Sequence, residues 1–386
     1  MKNAKPAVDT RTQITGFPFF RRKEKLPLRE LRFWNPNPET IRMTPAQLGY
    51  YFPAEWAKHA ATWLSWPHKE ASWPGKMQTI FPVYTQFVKA LAVGERVCIN
   101  VNDDLMQAEA MRWLREAGTD LEKVDFFTHP TNDAWCRDHG PAFLVNPDAE
   151  LKKVVVKWKY NAWGEKYPPH DLDNQIPFRI AEVRQLPVFQ PGIVMEGGSV
   201  EFNGRGTVLT TTACLLNSNR NPHLSQAQIE AYLHDFYGVT NILWLGDGII
   251  GDDTDGHIDD LTRFVNEDTV VTVVEENTHG KNYETLQVNL RTLQKMRLEN
   301  GKQLNVIELP MPSPVIYEDQ PLPASYANFC IGNAAVIVPT FQDPNDEKAL
   351  DILTKCFPGR QVVGLDSTDI IWGLGSFHCL SQQEPE

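Results

Sequence analysis

Four short stretches of the chain place a carboxylate, a histidine or a cysteine beside glycine. They are "NDAWCRDHGP" (132–141), "VMEGGSVEF" (194–202), "GDDTDGHIDD" (251–260) and "GLGSFHC" (373–379). Loops with special backbone geometry, held by a rigid scaffold, are where catalytic groups tend to lie. A thiol, an imidazole and several carboxylates are the side chains that nucleophilic and acid–base catalysis require. These stretches are therefore the candidate site.

The spacing of the four stretches is nearly regular. Asp138 and Glu196 are 58 residues apart, Glu196 and His257 are 61 apart, and His257 and Cys379 are 122 apart, which is twice 61. A fixed period indicates structural repeats, and repeats around an axis bring equivalent loops together at its centre. Since about five such units fit into the chain after residue 42, the spacing favours a repeat fold whose loops share one site.

Taken singly, each of these side chains also has a structural explanation. Asp138 next to Arg137 is typical of a loop ion pair, and Glu196 is compatible with a solvated turn residue. A lone histidine such as His257 is more often structural, and a free cysteine such as Cys379 is often an inert buried residue. Only the common spacing favours the joint functional interpretation.

A metal centre is a distant alternative for one stretch. His257 and Asp259 form an H-x-D pair, which is half of a two-histidine, one-carboxylate iron site. A second histidine would have to come from elsewhere in the chain, and the candidates are His139, His223 and His378. Such a site would make the protein a metal-dependent hydrolase or oxygenase.

Strands and amphipathic helices alternate through most of the chain. Strands are predicted over "ERVCINVN", "GTVLTT", "NILWLG", "AAVIVPTF" and "QVVGLD", and helices over "LMQAEAMRWLREAG" and "DEKALDILTKCF". A further helix begins at Ser225, where Gln228 completes a capping box, and ends at Gly238. This alternation predicts one α/β domain over residues 43–386. Residues 1–42, rich in proline and charge, are predicted to form an N-terminal extension.

Composition limits the partners and the compartment. The net charge of −12 argues against general nucleic-acid binding and favours small cationic ligands. No apolar run approaches the ~20 residues that span a bilayer, and the N-terminus lacks the apolar core of a secretory signal. The six cysteines form no CxxC pair. We therefore expect a cytoplasmic protein with reduced thiols, no membrane association and no nucleic-acid partner.

Six stretches, in order along the chain, resemble one known family. They are "PAEWAKHAATWLSWPHKEASWPGK", "NDAWCRDHGP", "KYNAWGEKYPPHDLDNQIP", "EGGSVEFNGRGTVLTTTACLLNSNRNPHLS", "DTDGHIDD" and the tail "FHCLSQQEP". From about residue 48 to its end, the chain resembles the agmatine deiminase/bacterial peptidyl-arginine deiminase-like family of guanidine-modifying enzymes. The resemblance implies the pentein fold, a five-bladed α/β propeller with pseudo-fivefold repeats and its active site at the hub.

The resemblance implies that Cys379 is the nucleophile, His257 the general acid and base, and Glu196 the catalytic glutamate. The central carbon of a guanidinium is a weak electrophile, so thiolate suits the attack. Ammonia leaves only when it is protonated, which is the implied task of His257. Water then hydrolyses the S-amidino-cysteine to a ureido product. The resemblance implies no metal and no cofactor.

Substrate binding is implied for Asp138 and Asp259, which match carboxylates that hold the planar guanidinium, and for Trp135, which matches an aromatic wall. Asp253, on the loop of His257, is a candidate contact for the far amine of agmatine. The family often has Glu at that position, so this chain departs from the pattern there. Its "WGLGSFHC" also stands where the family usually has Gly-Gly-Gly-Asn-Ile-His-Cys.

The predicted reaction is the hydrolysis of agmatine to N-carbamoylputrescine and ammonia, with arginine or peptidyl-arginine as alternative substrates. A non-catalytic binding protein is disfavoured, because a binder would not need the thiol. The expected partner is a small cationic guanidine, and a homo-oligomer, dimer or tetramer, is also possible. Cys136 is expected to pack and not to react, and His378 receives no role. Because carboxylates near Cys379 should raise its pKa, we expect the bound guanidinium cation, together with His257, to promote thiolate formation.

Overall fold

The structure, a computed structural model, describes residues 43–386. These residues contain eighteen strands, nine α-helices and six short 3-10 helices. The predicted extension over residues 1–42 lies outside the described residues. The helices are α1 (Met77–Ala92), α2 (Asp104–Glu116), α3 (Cys136–His139), α4 (Ala162–Glu165), α5 (Ile176–Arg184), α6 (Thr212–Leu215), α7 (Gln226–Tyr237), α8 (Tyr283–Leu293) and α9 (Asn345–Cys356). Of these, α3, α4 and α6 are single turns.

The strands are short, and most belong to small sheets. They are β1 (His59–Ser65), β2 (Arg96–Val101), β3 (Val124–Thr128), β4 (Ala142–Val145), β5 (Lys153–Val156), β6 (Val188–Phe189), β7 (Val200–Phe202), β8 (Thr207–Thr211), β9 (Asn241–Leu245), β10 (Thr262–Asn266), β11 (Thr269–Val274), β12 (Asn305–Pro310), β13 (Ile316–Tyr317), β14 (Gln320–Pro321), β15 (Cys330–Ile331), β16 (Ala335–Thr340), β17 (Gln361–Asp366) and β18 (Ser381–Pro385).

Five sheets share one strand pattern. Their orders are β4-β5-β6, β7-β8-β9, β10-β11-β12, β15-β16-β17 and β18-β1-β2-β3, while β13 and β14 form a separate hairpin. In each sheet the first strand lies antiparallel to the second, and the third lies parallel to the second. Parallel neighbours need a long crossover, and α1, α2, α5, α7, α8 and α9 supply these connections. The α/β prediction is therefore confirmed.

The elements predicted from local pattern are present. Helix α7 has the capping box of Ser225 and Gln228, and it ends at Gly238, whose φ of +70° is left-handed. The five predicted strands correspond to β2, β8, β9, β16 and β17. The six cysteines, all within the described residues, are free thiols, as predicted. Among residues 43–386, none of the helices is both long and apolar enough to cross a membrane.

The last residues of the chain form the buried strand β18, antiparallel to β1. The polar side chains of β18 have partners: Trp63 donates to Glu384 at 2.9 Å, and Lys153 and Arg184 form ion pairs with Glu384. Because β18 completes the sheet of β1, Cys379 lies at the entrance of a strand and has a fixed position.

Candidate active site

Each of the five sheets contributes one polar side chain to the same place. In every case the residue lies immediately before the first strand of its sheet, where α3 or a short 3-10 turn or loop changes the chain direction. The five residues are Asp138 before β4, Glu196 before β7, Asp259 before β10, Asn328 before β15 and Cys379 before β18. The structure thus brings together the four stretches that the sequence singled out.

Asn328 is a site residue that the sequence analysis missed. It belongs to the sheet that fills the doubled interval between His257 and Cys379, so the interval itself was the signal that could have found it. Its side-chain amide donates to Sγ of Cys379 at 3.0 Å and to Asp260 at 2.9 Å. Its carbonyl oxygen accepts from the backbone of His378 at 3.1 Å. Asn328 therefore fixes the position of the thiol.

Cys379 is buried, and its sulfur lies 3.6 Å from Oδ2 of Asp259. Gly375 makes room for this arrangement, since a Cβ there would lie 2.7 Å from Trp135 and 3.2 Å from Sγ. Burial raises the pKa of Cys379 well above its usual value, and Asp259, Asp260 and Asp138 raise it further. The thiol is thus protonated at neutral pH when no cation lies beside it.

His257 lies between two carboxylates at complete burial. Its Nδ1 is 3.8 Å from Oδ1 of Asp138 and 3.9 Å from Oδ1 of Asp259. Within the described chain, neither ring nitrogen has a hydrogen-bond partner. Burial alone would lower the pKa of His257, but Asp138, Cys214 and Asp259 outweigh it and hold the pKa well above its usual value. The imidazole is therefore a cation at neutral pH, as a general acid must be.

Gly198 lies where these groups converge. A Cβ on this residue would be 2.6 Å from Nδ1 of His257, 2.9 Å from Asp138 and 3.0 Å from Asp259. Its backbone N–H donates to Oδ1 of Asp138 at 3.0 Å. The "EGGS" turn of the sequence is thus required for close approach of the backbone to the site.

The pKa of Asp138 leaves its carboxylate ionised at neutral pH, as a cation-binding group requires. Burial raises its pKa to about 6; His257 opposes this rise, while Asp259 and Glu196 add to it. Its second oxygen, Oδ2, accepts from Nε1 of Trp163 at 3.0 Å. Three buried carboxylates near one another cost free energy unless a cation neutralises them. The site is therefore complementary to a positively charged ligand.

Trp163 reaches Asp138 from a left-handed turn, a feature that the sequence did not predict. All four residues of α4 have positive φ: 48° for Ala162, 55° for Trp163, 88° for Gly164 and 64° for Glu165. Such a conformation costs about 1–2 kcal/mol for each residue with a Cβ. Backbone strain of this kind is concentrated at functional sites. The turn places an indole donor and an aromatic face at the pocket.

Arg220 fixes one oxygen of Glu196. Its Nε donates to Oε1 of Glu196 at 2.6 Å, and both side chains are completely buried. The guanidinium also donates to Asp255 and to the carbonyl of Thr254. Oε2 of Glu196 has no partner among residues 43–386. The sequence analysis missed Arg220, although it lies in "NSNRNPH", part of a stretch that carried the resemblance.

An open pocket leads from the surface to Cys379 and Asp138. Aromatic side chains form much of its wall: Trp135, Trp163, Tyr167, Tyr317 and Trp372. Trp135 thus lies at the pocket, where it was predicted. Glu196, His257 and Asp259 lie behind the pocket wall, fully buried.

Asp253 also lines this pocket, near its mouth. Its Oδ1 is 3.3 Å from Nζ of Lys166, and Tyr167 donates a hydrogen bond to Oδ2. Cys136 does not line the pocket: it is buried in an apolar cluster, and burial raises its pKa to about 12. The expectation that Cys136 packs agrees with this position.

The metal alternative built on His257 and Asp259 receives no support from the geometry. In the described part of the chain, two sets of three possible ligands have their ligand atoms within 4.8 Å of one another, and neither contains both residues. Of the three histidines proposed as the second ligand, His378 does contact Asp259, but as a hydrogen-bond partner at 2.7 Å.

Comparison with known proteins agrees with the family that the sequence resembles. Residues 51–385 match the model of the Porphyromonas-type peptidyl-arginine deiminase family. An agmatine deiminase of Pseudomonas syringae pv. tomato is 35% identical, and the alignment covers 90% of this chain and 98% of that protein.

Solved structures give the same result. The agmatine deiminase of Enterococcus faecalis has a TM-score of 0.84 at 32% identity, covering 90% of this chain and 99% of that one. A Cys-to-Ser variant of the C. jejuni agmatine deiminase with substrate bound has a TM-score of 0.79 at 33% identity, covering 87% and 96%. These neighbours agree with the predicted α/β pentein fold. The chain belongs to the Porphyromonas-type peptidyl-arginine deiminase family.

Proposed function

We propose that this protein is a hydrolase that converts agmatine and water to N-carbamoylputrescine and ammonia through a covalent intermediate on Cys379. The observation that carries the proposal is the convergence of a thiol, an imidazole and three carboxylates beside an open pocket that Cys379 and Asp138 line. The enzymes named above as relatives and structural neighbours are agmatine deiminases.

The guanidinium group fits the atoms that lack partners. Oε2 of Glu196 and Oδ1 of Asp259 are buried acceptors without a donor in the described chain. A guanidinium presents N–H donors in a planar fork and carries a permanent charge. Carboxylates on its edges hold the plane and direct the central carbon toward the sulfur of Cys379. Binding therefore neutralises the charge that makes the empty site unfavourable.

The reaction follows from these positions. When the cation binds, the thiol of Cys379 loses its proton to solvent. The thiolate attacks the guanidinium carbon, and a neutral tetrahedral adduct forms. His257, a cation before attack, gives its proton to the departing nitrogen, so ammonia leaves and an S-amidino-cysteine remains. The now neutral His257 takes a proton from water, which attacks the same carbon. The C–S bond breaks, the ureido product leaves, and the thiol is restored.

The pocket walls favour a cationic tail. Asp253 and the aromatic side chains of Trp135 and Trp163 line the pocket. Aromatic faces attract cations, and a carboxylate accepts from an ammonium. Lys69 pairs with Asp133 and Lys166 pairs with Asp253, each at 3.3 Å. Among the described residues that line the pocket, the carboxylates of Asp133, Asp138 and Asp253 still outnumber the single lysine. These contacts suit the far amine of agmatine better than the carboxylate of arginine.

The finer fold proposal is a five-bladed propeller with the site at its hub. Five sheets of one pattern, each supplying a site residue before its first strand, support it. Equivalent positions in five repeats would meet in this way only if the repeats surround one axis. Small-angle scattering would test the closed, disc-like shape.

The experiment that tests the function measures ammonia and ureido product from agmatine, free arginine and an arginine peptide. We expect turnover of agmatine that a chelator does not abolish, and its loss in Cys379→Ser. Cys356→Ser, the same substitution at a cysteine on α9, is the control and should keep turnover. Chelator-sensitive turnover that survives Cys379→Ser would exclude the thiol mechanism, and peptide turnover without agmatine turnover would correct the substrate.

A further inference from the structure

A second thiol lies next to the imidazole of the site, and the proposed reaction does not use it. Cys214 is fully buried, and one ligand atom from each of Cys214, Glu196 and His257 lies within 4.8 Å of the others. We propose that Glu196, Cys214 and His257 form a binding site for a thiophilic divalent cation, best matched by Zn²⁺, whose occupation excludes the guanidinium substrate.

The position of Cys214 is fixed by the turn that carries it. Helix α6 follows β8, and Oγ1 of Thr211 accepts from the backbone N–H of Cys214 at 3.2 Å. The same hydroxyl donates to the carbonyl of Gly256 at 2.6 Å, which ties α6 to the loop of His257. A Cβ on Gly256 would lie 3.2 Å from that of Ala213, so the two segments are in close contact.

Two of the three side chains, Glu196 and His257, have buried polar atoms without a hydrogen-bond partner in the described chain. Oε1 of Glu196 is occupied by Arg220, but Oε2 has no partner in the part of the chain described. Both ring nitrogens of His257 are likewise without partners there, at complete burial. Buried polar atoms of this kind are normally paired, so each points to a ligand. A guanidinium can donate a hydrogen bond to Glu196. A metal ion can bind Glu196 and, in addition, accept lone pairs from the imidazole of His257 and the sulfur of Cys214.

The chemical types of the three ligands indicate which metal ion the site binds best. Zn²⁺ takes thiolate, imidazole and carboxylate ligands in a tetrahedron, with water in a fourth position where the protein supplies three. Asp138 and Asp259, each within 4 Å of His257, add a negative field that favours a cation. The charge of Arg220 opposes this field, but Asp255 compensates it through a contact of 2.6 Å.

A second cluster of three possible metal ligands in the described chain differs from the cluster of Cys214 in its partners. Glu55, Glu201 and His378 also have ligand atoms within 4.8 Å of one another. There, however, the guanidinium of Arg263 bonds to both glutamates. In the cluster of Cys214, the guanidinium of Arg220 occupies only Oε1 of Glu196, whereas Oε2 and both ring nitrogens of His257 have no hydrogen-bond partner among residues 43–386.

Occupation of the site would stop the reaction, a consequence that rests on the proposed function, whereas metal binding itself does not. Binding would displace the proton of the Cys214 thiol and one proton of the His257 imidazolium to solvent. The ion would then hold His257 through that ring nitrogen and Glu196 through Oε2, so neither could serve the substrate. The ion and the guanidinium would compete for one carboxylate oxygen. Saturating substrate should therefore weaken metal binding, and the metal should weaken substrate binding by the same factor.

The test uses Co²⁺ as an optical probe on protein freed of metal with a chelator. We expect one ion per chain, displaced by Zn²⁺, with the charge-transfer absorbance of a cobalt–thiolate bond. That band should disappear in Cys214→Ala and persist in both Cys379→Ser and Cys136→Ala. A band that requires Cys379 and not Cys214, or the lack of any band, would overturn the proposal.

Two further measurements keep the test independent of folding and of the proposed activity. Circular dichroism checks that Cys214→Ala is folded. If that variant is unfolded, Glu196→Gln takes its place: it should keep the cobalt–thiolate band but weaken Co²⁺ binding at least tenfold. Unchanged Co²⁺ binding in Glu196→Gln would contradict the site. Zn²⁺ should inhibit agmatine turnover, with the half-inhibiting concentration raised at least tenfold in Cys214→Ala. If agmatine is not turned over at all, the proposed function fails, and the cobalt band still decides the metal site.

Discussion

Nδ1 of His378 lies 2.7 Å from Oδ2 of Asp259, so the residue next to the nucleophile holds a carboxylate that faces it. The other ring nitrogen, Nε2, lies 3.1 Å from Oε2 of Glu55, which in turn pairs with Arg263. Burial alone would raise the pKa of Asp259, but His378 and His257 outweigh it and keep the pKa below its usual value. Asp259 is therefore ionised. Its Oδ2 is held by His378, and its Oδ1, which has no partner among residues 43–386, is available to the substrate.

This relationship predicts a positioning role for His378. His378→Ala removes a hydrogen bond to a charged group, worth about 1.5–3 kcal/mol, and should raise KM for agmatine about ten- to a hundredfold. His378→Asn retains a donor near the position of Nδ1 and should recover part of this loss. Steady-state kinetics of both variants, with thermal unfolding to check the fold, measure the effect. Equal KM values in His378→Ala and the unchanged protein would refute the role.

A single methyl group at Gly198 should disable the site. Because its Cβ would lie 2.6 Å from Nδ1 of His257 and 2.9 Å from Asp138, Gly198→Ala must displace the imidazole or the carboxylate. A misplacement of about 1 Å can cost a hundredfold in rate, so we expect a loss of kcat/KM of that order. Gly359→Ala is the matched control, since no atom lies within 4 Å of its Cβ. The prediction fails if both variants retain the same activity.

Substrate binding should weaken in acid because of Asp138. Burial raises the pKa of Asp138 to about 6, so the carboxylate takes up a proton as the pH falls through that value. The neutral acid no longer attracts the guanidinium, and the dissociation constant should rise up to tenfold per pH unit below about 6. Calorimetric titration of agmatine into Cys379→Ser, which binds without turnover, measures this. A dissociation constant that stays the same from pH 7 to pH 5 would argue against Asp138 as the cation-binding group.

Features set by neighbours in sequence could be predicted. The limits of α7 depend on Ser225, Gln228 and Gly238, all within one helix and its caps, and they were correct. The meeting of the four stretches followed from their period, because equal repeats place equivalent loops alike. The same period implied a further unit between His257 and Cys379, where Asn328 lies.

Features set by distant contacts could not be predicted. Strand β18 has the sequence "SQQEP", which has low strand propensity, and it is a strand because the edge of β1 binds it. The left-handed turn of Trp163 is held by Asn161, whose side chain accepts from the backbone of Gly164, and by packing against Asn219. The pairing of Arg220 with Glu196 joins the segment before β7 to the segment after α6, 24 residues away. No local pattern encodes these contacts.

The thiol of Cys379 should become a better nucleophile when the substrate cation binds. In the empty site burial raises its pKa well above the usual value, and Asp259, Asp260 and Asp138 raise it further, so the thiol is protonated at neutral pH. A guanidinium beside the sulfur replaces that negative field with a positive charge, and an opposite charge within about 4–6 Å lowers a pKa by about 1–3 units.

The measurement is the ultraviolet absorbance of the thiolate as a function of pH, taken as the difference between the protein and Cys379→Ser. A cationic guanidine that is bound but not hydrolysed should shift the midpoint to lower pH. N-carbamoylputrescine, which has a neutral ureido group of similar shape in place of the guanidinium, should shift it much less. By linkage, the cation must bind more tightly as the pH rises through the midpoint. If the empty protein already has an equally low midpoint, the thiolate forms without the substrate, and the charge of the guanidinium serves for binding alone.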